Sequence, residues 1–177
     1  DISKQKRVAE ALKYSNEHDS LTGLYNRAYL ERILEADASK ETKDTRVVIG
    51  INLRDVQALS SDFGFHYTQE LLKKVSKGLA ELCAGHCALY HFAYYTQCCK
   101  GKDQIIEFCQ RLVAKLEELL ADERVGGGIG ILVIEPDNEL DANQLLKHVL
   151  IATEIALEDA QGGFKYCFFD EEVKARI

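Results

Sequence analysis

The sequence predicts an α/β (α+β) fold, in which a mixed β-sheet of about five strands is flanked by helices. Short apolar runs of strand length alternate along the chain with longer stretches that repeat their apolar residues at helical spacing. No internal repeat or low-complexity linker interrupts this alternation. A chain of 177 residues with 46% hydrophobic and 29% charged residues suits one globular domain with a single core.

The first half of the chain is predicted to hold a helix, a second helix, a buried strand and a third helix. Residues 1–17 are polar and free of Gly and Pro, which suits a helix entering the domain. Asn26 is a candidate N-cap for a helix ending near Ala38. Residues 47–53 form a nearly continuous apolar run, typical of a central buried strand. Residues 67–83 carry leucines and a valine at helical spacing.

The second half is predicted to hold four strands and two helices. Its helices are recognised by an apolar stripe and by an Asp-x-x-Gln capping box. The predicted elements are two strands around a tight turn over 88–99, a helix over 103–121, a Gly-rich strand over 125–134, a helix from Asp141 to about Ala160, and a last strand over 164–169.

Charge and hydropathy exclude several classes of function. A net charge of -7 argues against a nucleic-acid partner, which requires a basic face. No apolar run reaches the roughly 18–20 residues that cross a bilayer, so we expect a cytoplasmic segment without direct membrane contact. The chain begins at Asp1 and contains no Met, so we expect a segment of a longer protein, whose other parts could hold a membrane anchor.

Two sequence clusters admit a binding interpretation, and both have a structural alternative. Cys83, His86, Cys87 and His91 could be imagined as a zinc site, but they lack a C-x2-C half, so we favour buried, reduced thiols and predict no metal. Residues 126–128 are three glycines that resemble a phosphate loop. They lack the G-x-x-x-x-G-K-[ST] pattern, and we place them in a strand.

One segment carries most of the information about family. Residues 19–27 read D-S-L-T-G-L-Y-N-R, which fits the pattern D-x-L-T-G-L-x-N-R. Together with INLRDVQ at 51–57, FGF at 63–65 and GIG at 128–130, it resembles GGDEF domains in order and spacing. The likeness spans 18–170. The pattern residues are Asp19, Leu21, Thr22, Gly23, Leu24, Asn26 and Arg27, for which we favour a structural role in joining a helix to the sheet.

The resemblance implies a nucleotidyl-cyclase/ferredoxin-like GGDEF fold and synthesis of cyclic di-GMP from two GTP. That reaction uses two divalent cations held by carboxylates, one from the first strand and one from the signature hairpin. The first position is Asn52, a neutral amide. The best register places the signature at 93–97, where Tyr95 and Thr96 stand at the acidic positions and no Gly-Gly remains.

The other nucleotide positions implied by the resemblance are also altered. Ser60 and Gln69 stand where guanine-binding Asn and Asp are expected, and Gln161 stands where a phosphate-binding Lys is expected. Ala93 and Tyr94 take the places of the signature glycines, and we expect Tyr94 and Tyr95 to fill the nucleotide space. As an alternative, these tyrosines are strand and core residues, and a base-stacking platform is a third interpretation.

Three functions follow as alternatives. The first is a catalytically inactive module that regulates, dimerises or relays a signal, with no cofactor. The second is a sensor that binds GTP or cyclic di-GMP without turnover, and the third is an active cyclase that uses GTP and Mg2+. We expect a signalling helix at 1–17 that follows a sensor, the degenerate domain at 18–170, and a connector at 171–177 that leads to an EAL domain.

Overall fold

The structure of the protein is a computed structural model. It describes most of the chain, namely residues 2–39, 44–54, 56–82, 87–90, 92–96, 101–123, 125–170, 173 and 175. Six helices and five strands follow one another in these residues: α1 (Ile2–Glu17), α2 (Arg27–Ala38), β1 (Arg46–Leu53), α3 (Val56–Phe63), α4 (Phe65–Glu81), β2 (Cys87–Tyr90), β3 (Ala93–Thr96), α5 (Lys102–Leu119), β4 (Gly127–Ile134), α6 (Ala142–Ala160) and β5 (Phe164–Phe168). None of these described helices is long and apolar enough to cross a membrane.

The strands form one mixed sheet, which confirms the predicted fold class. Their order is β2-β3-β1-β4-β5, so β1 is central. β1 pairs antiparallel with both β3 and β4, whereas β4 and β5 are parallel. The first six residues of β1 are buried, as expected for a strand covered on both faces.

Each face of the sheet carries its own core, because successive side chains of a strand point to opposite faces. On one face, α4 and α5 pack against Val47, Ile49 and Ile51 of β1. On the other face, α2 and α6 pack against Val48. The sheet is therefore the middle layer of three.

Most predicted elements are confirmed, and the differences have simple causes. The capping box is present: Gln144 N donates to Asp141 Oδ1 (2.8 Å), and Asp141 N donates to Gln144 Oε1 (3.2 Å). Helix α3 was not predicted, because Leu59 is the only member of the buried core among the α3 residues whose burial the structure describes. Gly64, with φ +94°, separates α3 from α4, which begins at Phe65 rather than near 67. Residues 97–99 of the predicted hairpin lie outside the described part of the chain.

Glycines in β1 and β4 bring α6 unusually close to the sheet. A Cβ at Gly130 would lie 2.3 Å from Thr153 Oγ1 and 2.5 Å from the Thr153 backbone nitrogen. A Cβ at Gly128 would lie 2.4 Å from Thr153 O and 2.5 Å from Leu157 N. Real Cβ atoms do not approach this closely, so only glycine fits at these positions.

The tri-glycine segment is part of the same packing. Gly127 and Gly128 lie in β4, and a Cβ at Gly126 would lie 2.3 Å from Gly163 O. Gly127 N also donates to Gly163 O (2.9 Å). This backbone packing leaves no space there for a phosphate, in agreement with the strand interpretation.

We predict that Gly130→Ala destabilises the domain by about 1–3 kcal/mol or more, because the added methyl overlaps the backbone of α6. Gly163→Ala is the matched control, since its Cβ would meet only Ala160 O at an ordinary 3.7 Å. Urea unfolding followed by circular dichroism measures both changes. Equal unfolding midpoints for the two variants would contradict the close-packing account.

Candidate functional site at the end of β1

A cavity of about 320 Å³ lies where β1 ends, α3 begins and the β2–β3 hairpin turns. Its lining residues come from four separate parts of the chain: Ile51, Asn52, Leu53, Val56, Leu72 and Phe92. Ile51 N donates to Phe92 O (2.9 Å), which holds the hairpin turn against β1. Asn52 is the only polar side chain among the described residues that line the cavity. The other lining residues have apolar side chains, but polar atoms make up about as much of the cavity surface as apolar atoms do.

The donor set of the cavity does not fit a divalent cation. Mg2+ is held by carboxylates together with other oxygen ligands, and the described lining offers one neutral amide. Among the described residues, no group of three or more His, Cys, Asp or Glu side chains could hold a metal. Two carboxylates follow Asn52 in the sequence. Asp62 is exposed on α3, and Asp55 lies outside the described residues.

A positive charge lies beside the same strand end. Arg54, two residues after Asn52, donates from its backbone nitrogen to Gly126 O (2.7 Å). Its guanidinium donates to Leu157 O near the end of α6. The side chain thus anchors the strand end to α6.

The hairpin turn lies earlier than the sequence suggested. β2 and β3 pair from Tyr90 opposite Ala93, and Phe92 lies in the turn that precedes β3. Ala93–Thr96 form β3, and Gln97 lies outside the described residues. Phe92 has φ 51°, a left-handed conformation that glycine adopts at no steric cost. Nothing in the sequence marks this turn, because no glycine occupies it.

Tyr94 and Tyr95 are strand residues whose side chains lie inside the domain. They are 1% and 3% exposed, and because they are neighbours in β3 they enter opposite cores. The Tyr94 hydroxyl donates to Leu79 O (2.6 Å), and its ring meets Phe108 edge-on at 5.0 Å. The interpretation of both tyrosines as strand and core residues is the one that the structure supports.

Tyr95 belongs to a buried polar cluster that the sequence analysis missed. Its hydroxyl donates to Asp37 Oδ2 (2.6 Å) and accepts from Arg46 Nη1 (3.4 Å). Asp37 and Arg46 are only 7% and 4% exposed. Burial raises the pKa of the Tyr95 phenol, and the hydrogen bond to Asp37 raises it further. The cluster ties α2 to the strand that leads from the hairpin.

The other positions implied by the resemblance are divided between the two faces. Ser60 and Gln69 are half-buried on α3 and α4, the two helices that line the cavity. The Ser60 hydroxyl donates to Thr68 Oγ1 (2.9 Å). Gln161 is exposed in a left-handed conformation (φ 46°) at the end of α6, a helix of the opposite face.

The segment 19–27 forms a tight loop between α1 and α2. Asp19 Oδ2 accepts from the backbone nitrogen (2.9 Å) and hydroxyl (2.8 Å) of Thr22. Gly23 has φ +74°, a conformation that favours glycine. Asn26 caps α2 by accepting from Tyr29 N (3.0 Å), and its amide donates to the carbonyl at the end of α1. The remaining pattern residues border the loop: Leu21, half-buried, Leu24, packed on the first core, and Arg27, 3.4 Å from Glu31.

A stack of aromatic rings also joins α1 to α2. Tyr14 stacks on His18 with ring centroids 3.8 Å apart, His18 on Tyr25 at 4.5 Å, and Tyr25 on Tyr29 at 4.2 Å. The Arg32 guanidinium lies 5.3 Å from the Tyr29 ring centre. We call these four rings the junction stack. It packs the end of α1 against the start of α2.

We predict that Tyr95→Phe lowers the free energy of unfolding by about 1–3 kcal/mol, since Asp37 loses a donor inside the protein. Because folding raises the pKa of the Tyr95 phenol, the contribution of this group to stability is complete below its unfolded pKa of about 10. The contribution is lost as the pH rises further, because the unfolded state then releases the proton more readily than the folded state. The variant should therefore lose less stability than wild type between neutral pH and pH above 10. Exposed Tyr166→Phe is the control, and equal alkaline curves for wild type and Tyr95→Phe would contradict the assignment.

The comparisons with known proteins agree with this geometry. Residues 16–162 match the family model described as diguanylate cyclase, GGDEF domain. The chain is 21% identical to the cyclic di-GMP phosphodiesterase PdeR of Escherichia coli (strain K12) over 100% of its own length. It spans only 28% of that longer protein.

Solved structures of GGDEF proteins share the fold. The GGDEF domain of TpbB (YfiN) from Pseudomonas aeruginosa has a TM-score of 0.72 at 18% identity and covers 90% of this chain and 98% of that one. A diguanylate cyclase/phosphodiesterase structure from Caldicellulosiruptor saccharolyticus has a TM-score of 0.68 at 23% identity, with 88% and 96% coverage. The S helix-GGDEF-EAL structure of Vibrio cholerae LapD, bound to c-di-GMP, has a TM-score of 0.69 at 11% identity, with 97% and 42% coverage. Since the family model covers most of its length, this chain belongs to the GGDEF domain family.

Proposed function

We propose that the chain is a catalytically inactive GGDEF domain that serves as a regulatory or relay module in bacterial cyclic di-GMP signalling. The observation that carries the proposal is the lining of the cavity at the end of β1. Asn52 is its only polar side chain among the described residues, where the two-metal reaction needs carboxylates.

The hairpin supports the same conclusion in either register. Whether the signature corresponds to 93–97 or begins at the turn at 91–92, no acidic residue occurs anywhere from 83 to 99. The second carboxylate is therefore missing along with the first. Tyr95 and Thr96, at the expected acidic positions, supply no charge at neutral pH.

The positions at which the family resemblance implies contacts with the guanine base and the phosphates carry residues of a different chemical character. Ser60, Gln69 and Gln161 are neutral, and Ser60 is bonded to Thr68. Ala93 is a strand residue, and Tyr94 is a core residue. These positions offer no cation for a triphosphate, so we propose no cofactor for this domain.

The loop at 19–27, which joins α1 to α2, supports a relay role. Asp19, Thr22 and Asn26 hold α1 and α2 together through side-chain hydrogen bonds that need no nucleotide. We propose that 1–17 transmits the state of an upstream sensor to the domain at 18–170, and that 171–177 connects it to an EAL domain in a cytoplasmic part of the parent protein. The relatives support this arrangement, because the LapD structure contains an S helix, a GGDEF domain and an EAL domain.

A nucleotide sensor without turnover is the second candidate, favoured by the cavity of about 320 Å³ that persists at the vestigial site. Calorimetry with GTP and with cyclic di-GMP, each with and without Mg2+, distinguishes the two functions. The inactive module should bind neither nucleotide, whereas a sensor should bind one of them.

We predict that the purified chain forms no cyclic di-GMP from GTP and Mg2+, and that Asn52→Asp does not restore synthesis. One restored carboxylate still leaves the hairpin without its ligand. Chromatographic product analysis, with an active diguanylate cyclase as positive control and Asn143→Asp as the matched variant, measures this. Product from wild-type protein would overturn the proposal.

We also predict that Asn26→Ala costs about 1 kcal/mol of stability, because it removes the N-cap of α2 and the bond to α1. Asn143→Ala, on an exposed position of α6, should cost less. Thermal unfolding of both variants compares the effects. Similar losses would argue that the loop has little structural role.

A further inference from the structure

The last strand, β5, forms one edge of the sheet. Among the described strands, β5 pairs only with β4. An edge strand presents main-chain N–H and C=O groups that can pair with another chain, and proteins commonly block such edges with prolines, bulges or charged side chains. β5 reads F-K-Y-C-F, with no proline and a single charged residue, Lys165. Its sequence therefore does little to prevent a further strand from pairing.

The hydrogen bonds at the two ends of β5 show which of its main-chain groups point outward. Gly127 N donates to Gly163 O (2.9 Å), and Phe169 N donates to Ile131 O (2.7 Å). Alternate residues of a strand bond to the same neighbour, so the odd-numbered residues of this stretch bond to β4 and the even-numbered residues of β5 bond outward. The outward residues are Phe164, Tyr166 and Phe168.

These outward groups match an extended main chain. Phe168 O accepts a weak hydrogen bond from the Cys167 thiol (3.5 Å), which leaves the carbonyls of Phe164 and Tyr166 and the N–H groups of all three outward residues for pairing. The groups recur every second residue, at intervals of about 6.6 Å. An extended peptide presents its own N–H and C=O groups at the same interval, so it can pair with β5 along its whole length.

A groove follows the same edge between β5 and α5. A cavity of about 380 Å³ lies beside the first half of β5, and a cavity of about 530 Å³ lies beside its end. Phe164, Tyr166 and Val113 help to line the first cavity, and Phe168 and Ile105 help to line the second. Every second side chain of an added strand would point towards this groove.

The aromatic side chains of β5 favour apolar neighbours on an added strand. Tyr166 is 37% exposed, and its ring meets the Phe168 ring edge-on with centroids 6.4 Å apart. Aromatic residues form favourable cross-strand pairs with β-branched and aromatic residues. We therefore expect the groove side of an added strand to carry Val, Ile or aromatic residues.

The charges at the two ends of the groove give the added strand a direction. Lys165 is exposed at the start of β5. At the end of β5, Glu135 and Asp170 line the second cavity together with Lys102, so acidic groups are in excess there. Asp170 keeps its charge while accepting from Val173 N (2.9 Å). A basic residue fits the end of β5 and an acidic residue fits its start, because opposite charges on paired strands attract.

From the outward main-chain groups and the adjoining groove we infer that β5 binds an extended segment of a partner protein as an additional antiparallel strand. Main-chain hydrogen bonds supply affinity, and alternate side chains in the groove supply specificity. The segment has a basic residue near its N-terminus, alternating β-branched or aromatic residues, and an acidic residue near its C-terminus. This partner extends the proposed function as a regulatory module. An active cyclase could carry the same edge, so the product assay and the binding test succeed or fail separately.

Hydrogen exchange followed by NMR tests the binding with a capped peptide of sequence K-V-T-V-T-V-E. In the free chain, the outward N–H groups of Phe164, Tyr166 and Phe168 should exchange fast, whereas those of Lys165 and Cys167, which bond to β4, should exchange slowly. A saturating peptide should slow exchange of the outward groups by at least about tenfold and leave the other two unchanged.

Two controls separate main-chain pairing from general apolar contact. The same peptide with N-methyl groups on alternate residues keeps every side chain but cannot pair, and it should not bind. Tyr166→Pro removes an N–H that points away from β4, a substitution that edge strands tolerate. It should raise the Kd of the unmodified peptide at least about tenfold above that of Tyr166→Val, which keeps the N–H. Circular dichroism checks the folding of both variants.

Several results would overturn the assignment of β5 as a peptide-binding edge. One is the absence of peptide binding to the wild-type chain up to about 1 mM. Equal binding of the plain and the N-methylated peptide would show that main-chain pairing is not involved, whether or not Tyr166→Pro folds. Outward N–H groups that are already slow in the free chain, and slower at higher protein concentration, would assign the edge to a second copy instead.

Discussion

The close approach of α6 to the sheet is the constraint on which the rest of the fold depends. It is possible only because Gly128 and Gly130 lack side chains beneath Thr153 and Leu157. Once α6 is seated, the carbonyl of Leu157 accepts from Arg54, and the end of β1 is held in place. Asn52, opposite Gly128 in the ladder, is thereby positioned at the cavity. Backbone packing thus positions the end of β1.

The scaffold and the chemistry of the site depend on different residues. Asp19, Thr22 and Asn26 hold the loop at 19–27 through hydrogen bonds. Tyr94 and Tyr95 anchor β3 in the two cores. None of these contacts requires a metal or a nucleotide. The fold is therefore held together with a neutral amide at position 52 and no acidic residue in the hairpin sequence.

Sequence patterns predicted the elements whose burial is periodic and long, such as α5, β1 and α6 with its capping box. They missed α3, where a single core residue gives no period, and they misplaced the hairpin turn because Phe92 adopts a conformation usually marked by glycine. Neighbouring residues of β3 enter opposite cores, so a register error of one residue would exchange the places of Tyr94 and Tyr95. The sequence pattern alone does not determine that register. The cavity combines four distant segments, so its lining was visible only in three dimensions.

The junction stack gives the domain an internal optical reporter. The chain has 8 tyrosines and no tryptophan, and Tyr14, Tyr25 and Tyr29 belong to the stack with His18. Rings about 4 Å apart couple their transitions, so the near-ultraviolet circular dichroism of tyrosine depends on how α1 meets α2. Rotation of α1 would separate the rings and change that signal. The angle of the entering helix can thus be followed without a label.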